Sequence, residues 1–405
     1  MISSFENNPT PSAASTTEVW QNLREAADED SLLSFREYMD LALYGPGGYY
    51  QRLVRLGGAG GDFYTAAQFP LFGLTLGRYI YQQWQQREKQ GMLRIVELGP
   101  GQGELAYWIC TYLVSVLEKH RSAGPVPLEY RFVEPSDYLR QVQQERVAPF
   151  FERIAFQWKA PSDIQSGIQL PKGDVAAYVF VIANELLDAL PVERVRRGLQ
   201  GFERGFVRIV QQGDVEEPLE EVFLPASDGL SRLARKYTPV PPGHVAEVCL
   251  DYEKVFAACS GLAREVDGVF FDYGTFADEW RQGIRPQGTL RAFHKHTLVD
   301  ALARPGEVDI TTDVNWDLAR DAAISAGLLV KDIRKQGSFL MQNGIMDVAM
   351  EITNGDSPLS DVFKPQAGPL SITAALKQLV LPGGMGERFS AFVFTKRGGS
   401  GEQGC

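Results

Sequence analysis

The stretch "IVELGPGQGELA", residues 95–106, decides how this chain is to be folded. An apolar run ends in a turn carrying Gly99, Gly101 and Gly103, and a helix-like segment follows. Glycines keep side chains out of the way, so that backbone amides and a helix N-terminus can come close to a polar ligand. In an open parallel sheet, such a turn at the carboxyl end of a strand lies against the ligand. The spacing narrows the choice of ligand. A dinucleotide site needs glycine or alanine where Glu104 stands, and a Walker loop needs Gly-Lys-Ser/Thr, which is absent. Glu97 at the strand tip would repel a diphosphate and suits a cationic, phosphate-free nucleoside.

Outward from this turn, strand-like and helix-like segments alternate. "LRIVEL" at 93–98 predicts a strand, residues 103–120 a helix, "LEYRFVEP" at 128–135 a strand and "DYLRQVQQERV" at 137–147 a helix. "IAFQW" at 154–158 and "VAAYVFVIAN" at 175–184 predict two more strands. Later come strand-like "GVFFDYG" at 268–274, helix-like "NWDLARDAAISAGL" at 315–328 and strand-like "FSAFVFTKR" at 389–397. The alternation predicts an α/β fold of parallel strands and crossover helices, and runs such as "YVFVIA" suit strands covered on both faces. Residues 17–90 read as an N-terminal helical extension, with Ser34 as an N-cap and a helix from about Pro70 to Gln86. Residues 91–397 then form the main domain, interrupted at 196–260 and 275–312 by insertions too long for ordinary connections, which we expect to build a substrate cleft. Residues 1–16 and 398–405 read as disordered tails.

Composition bounds the partners. With 51 acidic and 40 basic residues among 405, the net charge of −11 disfavours nucleic acid as a partner. Cys110, Cys249, Cys259 and Cys405 form no C-x-x-C pair, which argues against a zinc knuckle or a disulfide framework and for a reducing compartment. The opening segment lacks the marks of a signal or transit peptide, so a cytoplasmic protein is expected. No apolar run approaches the ~20 residues that span a bilayer, so membrane insertion is not expected.

Glu97, Gly99, Gly101 and Gly103 match the E-x-G-x-G-x-G signature of class I S-adenosylmethionine-dependent methyltransferases, and "YRFVEPS" ends in Glu134, where such folds place an acid for the ribose hydroxyls. Further stretches extend the likeness: "SFREYMDLALYGPGGYY", "GDFYTAAQFPLFG", "IANELLDALPVERV", "FFDYG", "GTLRAFHKHTLVDALARPGEVDITTDVNW" and "FLMQNGI". From about Ser34 to Thr395 the chain resembles the MidA-like methyltransferases, whose mitochondrial member assists respiratory complex I assembly by methylating an arginine of a complex I subunit. The resemblance implies a Rossmann-like class I methyltransferase fold with a mostly parallel seven-stranded sheet and helices on both faces. It implies S-adenosylmethionine as cofactor and arginine-directed protein methylation, with a respiratory-complex subunit as the expected protein partner; a homodimer is one assembly compatible with the sequence, which does not fix the oligomeric state. It places Gly99, Pro100, Gly101 and Gly103 at the methionine end of the cofactor and Glu134 at its ribose. Asp62, Phe63 and Thr65 would wall the same pocket.

The same resemblance points to "NELLD", residues 184–188. Asn184 can accept a hydrogen bond from a target N–H. If a helix begins there, Glu185 and Asp188 share a face, where paired carboxylates suit a guanidinium and can accept its proton. A helix cap for Asn184 and a surface acid for Asp188 are the competing roles. Asp272 either faces the cleft or stabilises a turn. His294 and His296 fall on one side of an extended segment, but further ligands for a metal are lacking, and no metal is expected. The competing activities are a small-molecule N- or O-methyltransferase and a non-catalytic cofactor-binding assembly factor.

Overall fold

The computed structural model describes residues 13–51, 65–86, 91–118, 127–160, 178–210, 219–295, 297–354, 359 and 372–398. The chain divides into two compact units. One comprises Tyr64–Asp188, Tyr252–Gly274 and Leu318–Cys405; the other comprises Met1–Phe63, Ala189–Asp251 and Thr275–Asp317.

Among the described residues, the first of these units is built on seven strands: β1 Leu93–Leu98, β2 Leu128–Val133, β3 Ala155–Lys159, β4 Tyr178–Asn184, β5 Glu265–Thr275, β6 Leu329–Lys335 and β7 Phe389–Lys396. Their order across the sheet is β3-β2-β1-β4-β5-β7-β6. The strands from β3 to β5 pair in parallel, while β7 runs antiparallel to both β5 and β6. Order reverses at β1, where the chain first goes outward to β3 and then returns through β4. That switch point is where an open α/β sheet binds its ligand.

Helices cover both faces. Phe270 and Phe271 are neighbours on β5 and so point to opposite sides. Phe271 meets Phe72 of the helix Pro70–Gln85 edge-on at 5.0 Å, and Phe270 stacks against Phe256 of the helix Tyr252–Gly261 at 5.7 Å. Tyr178–Ala183 of β4 are buried, as the continuous apolar run predicts; β1 and β2 are buried throughout although they carry Arg94, Glu97, Glu129 and Arg131. The seven strands agree with the expected sheet, and β6 is the one to which no stretch of the sequence was assigned.

The second unit takes in residues 275–312 and part of the expected insertion 196–260, whose last residues belong to the helix Tyr252–Gly261 of the first unit. Leu32–Ser34, Phe202–Ile209, Val192–Arg197 and Val245–Cys249 follow one another in an antiparallel sheet, and Leu219–Pro225 also pairs with Phe202–Ile209. Thr297–Val299, Arg291–His294 and Asp309–Thr311 form a further antiparallel sheet. Ser34 caps the helix Phe35–Tyr44 as expected: its hydroxyl accepts from the Glu37 amide, and Glu37 answers the Ser34 amide in a reciprocal capping box. The extension expected over 17–90 is shared out: its first part lies here, and the helix Pro70–Gln85 lies in the sheet-bearing unit. A helix begins at Ala13, inside the expected N-terminal tail; residues 1–12 and 399–405 lie outside the described residues.

Candidate active site

The carboxyl ends of β1, β2, β4 and β5 come level with one another. Leu98 pairs with Val133 and Ala183, and Asn184 pairs with Phe271. The next residues, Gly99, Glu134, Asn184 and Asp272, therefore share one edge of the sheet.

At β1 the turn needs its glycines. Gly99, Gly101 and Gly103 have φ of +62°, +54° and +79°, the left-handed region that side chains disfavour. Pro100 closes the turn by accepting the Gly103 amide at 2.9 Å, and the helix Glu104–Glu118 begins there. A Cβ on Gly101 would meet nothing within 4 Å, so the middle of the turn faces open space; one on Gly99 would press on Leu186 at 3.1 Å. Glu97 does not reach outward. It is buried, takes the Tyr130 hydroxyl at 2.7 Å, and burial pushes its carboxyl up to about 8. Thr65 precedes a single helical turn at Ala66–Gln68 and makes no cap bond; Asp62 and Phe63 lie outside the described residues.

At β2, Glu134 is buried and burial pushes its carboxyl up to about 7. The Ser136 amide donates to its Oε1 at 2.9 Å, and the Gln143 amide to its Oε2 at 3.2 Å. Gln143 escaped the sequence reading, although a signal was present: Leu139, Gln143 and Val147 are the buried residues of the helix Asp137–Val147, at helical spacing. A glutamine amid that apolar stripe marks a polar group with a task.

At β4 the chain makes a turn rather than the helix that would set Glu185 and Asp188 on one face; no helix covers 185–188. Asp272 is the reason. Its Oδ2 accepts the amides of Leu187 and Asp188 at 2.9 and 3.2 Å, and its Oδ1 accepts that of Tyr273 at 3.0 Å. These bonds hold the loop in place of a helical ladder and settle the alternatives for Asp272 in favour of a turn-stabiliser. Burial, then the nearby Asp188 and Glu185 carboxylates, raise its pKa. Glu185 sits at φ +54° with its amide on the Phe271 carbonyl at 2.8 Å. A side chain held there is the kind of strain that marks working sites. Asn184 Nδ2 donates to Glu185 Oε1 at 3.1 Å, and the Tyr273 hydroxyl donates to Asp188 Oδ2. Nothing in the sequence beyond its place after Asp272 singled out Tyr273.

His294 lies in the other unit, its Nδ1 3.1 Å from the Glu307 carbonyl, and His296 lies outside the described residues.

The polar groups suit a phosphate-free ligand that donates hydrogen bonds: a glycine turn facing open space, a carboxylate that accepts one bond at each oxygen from the described residues at the second strand, and a buried acceptor, the Asn184 Oδ1, at the fourth. This fits the phosphate-free nucleoside that the glycine spacing implied, while Glu97, from which a positive charge on the ligand was expected, faces inward.

Comparison with known proteins agrees. Residues 75–333 match the model of a family of S-adenosyl-L-methionine-dependent methyltransferases. The human mitochondrial protein arginine methyltransferase NDUFAF7 is 28% identical, covering 96% of this chain and 86% of that one. Its Drosophila melanogaster homologue, also named mitochondrial, is 27% identical over 72% of this chain and 66% of its own. A crystal structure of a Burkholderia thailandensis protein bound to S-adenosyl-homocysteine matches with a TM-score of 0.74 at 27% identity, covering 97% of this chain and 96% of that one. The names of the relatives overturn the cytoplasmic expectation, since the curated relatives are mitochondrial proteins. The match over residues 75–333 takes in the glycine turn, both strand-tip acids and the Asn184 loop, and the chain belongs to this family of S-adenosylmethionine-dependent methyltransferases.

Proposed function

We propose that the chain methylates arginine side chains of a protein, with a respiratory-complex subunit as target and Asn184, Glu185 and Asp188 as the catalytic residues. One observation carries this reading. Asn184 Oδ1 is buried and has no hydrogen-bond partner among the described residues. Its Nδ2 is engaged by Glu185, and a carboxylate can only accept, so the amide is turned with its oxygen to spare. An unmet buried acceptor costs about 1–3 kcal/mol, which an incoming N–H donor recovers. A guanidinium offers donors alone and is always charged, so it meets both the oxygen and the neighbouring carboxylates. The naming of the relatives as protein arginine methyltransferases supports the same choice.

When bound, S-adenosylmethionine supplies an electrophilic methyl group on a positively charged sulfur. Gly99, Pro100, Gly101 and Gly103, with Thr65 beside them, would hold its methionine end, and Glu134 its ribose. Asn184 aims the target nitrogen, which is most of what an in-line displacement asks of a protein. Glu185 and Asp188 draw the positive charge of the guanidinium towards the nitrogens they bind and leave another with its electron pair available. One of these carboxylates takes the proton that this nitrogen releases as its bond to carbon forms. Tyr273 keeps Asp188 in register for that step.

The test is transfer of tritiated methyl groups into the proteins of a mitochondrial extract, followed by amino-acid analysis. Label is expected on arginine, lost at least about a hundredfold in Asn184→Ala and Asp188→Ala while both still bind S-adenosyl-homocysteine. Equal labelling by both variants would sink the site assignment, and label found only in the small-molecule fraction would sink the protein substrate.

A further inference from the structure

The glycine turn and the acid of β2 are joined through one side chain. Gln143 is fully buried, and its Oε1 accepts the Trp158 indole N–H at 3.0 Å. An indole nitrogen only donates, so this bond fixes which end of the amide is oxygen. The NH2 end is thereby turned towards the Gly101 carbonyl at 2.7 Å and Glu134 Oε2 at 3.2 Å. Trp158 is itself held, stacked on Phe132 at 5.2 Å with the planes 17° apart. Among the described residues, each Glu134 oxygen thus accepts one hydrogen, Oε1 from Ser136 and Oε2 from Gln143. A carboxylate has about four lone-pair sites, so each oxygen keeps one for a ligand. That arrangement matches two neighbouring hydroxyls.

We propose that Gln143 is a positioning residue of the cofactor site, whose amide locks the glycine turn to Glu134 and keeps that carboxylate aimed at the ribose hydroxyls. The inference rests on the reading of Glu134 as the ribose acid. It also makes the grip on the ribose depend on charge. Burial raises the Glu134 carboxyl, and the Ser136 amide, the Gln143 amide and Arg140 act against that rise. Of the charged groups around it, Arg140 binds the Glu134 carbonyl at 2.8 Å and pairs with Asp137 at 3.2 Å, and Lys159 of β3 accepts the Glu134 amide through its carbonyl at 3.0 Å. Removing a donor that favours the ionised form shifts ionisation to higher pH.

The experiment is calorimetric titration of the full chain with S-adenosyl-homocysteine between about pH 6 and pH 9, a window centred near the raised Glu134 value. Gln143→Met keeps the length and removes the donors. It is expected to weaken binding about tenfold at pH 7, the size of one lost bond to a charged acceptor, with the deficit shrinking towards pH 9 as Glu134 ionises in both proteins. Gln143→Glu keeps the acceptor for Trp158 and sets a second carboxyl against Glu134. It too should move the pH profile, and it serves where the methionine variant does not fold. Weakening by one factor at every pH, or none, in the folded variants would overturn the proposal. Glu134→Ala separates the two readings. If it binds like wild type, the ribose role of Glu134 fails; if it binds weakly while the Gln143 variants bind normally, the role of Gln143 alone fails.

Discussion

Glu97 shows how far one residue's role can be read before its surroundings are known. Its place in the signature was legible, and its chemistry as a strand-tip acid was a fair expectation, but the strand's alternation points it into the core. There the Tyr130 hydroxyl is its hydrogen-bond donor. With a folded pKa of about 8 against the unfolded 4.5, the native state holds a proton that the unfolded chain releases. The stability this gives is full below about pH 4.5 and is lost as pH rises towards about 8. Glu97→Gln keeps the shape and an acceptor for Tyr130 without the charge, so it should raise the melting temperature by a few degrees at pH 9 and leave it unchanged at pH 5. A variant that tracks wild type at both pH values would show that the carboxyl is not buried in its neutral form. Gln143 was legible only in part: its spacing with Leu139 and Val147 marks it among the three glutamines of "QVQQ" as the inward one, but its partner, Trp158 on the strand that follows the helix, is fixed by the fold.

Elements were legible where their cause is local. The capping box at Ser34 and the run of β1 depend on neighbours in sequence, and both stand where the sequence put them. β6 was missed because it lies at the sheet edge, only partly buried, and Lys331, Asp332, Arg334 and Lys335 hide its pattern. Residues 185–188 form no helix, and the reason, Asp272, which takes the amides of Leu187 and Asp188, comes from a strand far along the chain. One substitution therefore removes several of the loop's bonds at once. Asp272→Ala leaves the amides of Leu187, Asp188 and Tyr273 without their acceptor, and should cost about 1–3 kcal/mol in urea denaturation. Methyl transfer should fall further than S-adenosyl-homocysteine binding, because Asn184 and Asp188 ride on this turn while Glu134 does not. Equal losses in transfer and binding would mean that the turn supports the cofactor as much as the target.

At the scale of the molecule, the sequence foresaw insertions but not what they make. Leu32–Ser34 pairs with Phe206–Arg208, and Val192–Arg197 with Val245–Cys249, so one unit is assembled from three separate parts of the chain. Pairings this distant leave no periodicity to read, whereas the parallel sheet repeats its strand-helix pattern along the sequence. The division has a measurable consequence, because every described residue proposed to hold the cofactor lies in the sheet-bearing unit. S-adenosyl-homocysteine at a hundred times its dissociation constant should stabilise the native state by about 2.7 kcal/mol. Hydrogen exchange should place that gain in particular amides. Protection should rise in β1, β2 and the glycine turn, and stay the same in Leu32–Ser34, Val192–Arg197 and Val245–Cys249. If the amides of those antiparallel strands gain as much protection as the glycine turn, the two units do not open separately, and the expected localisation of the gain fails.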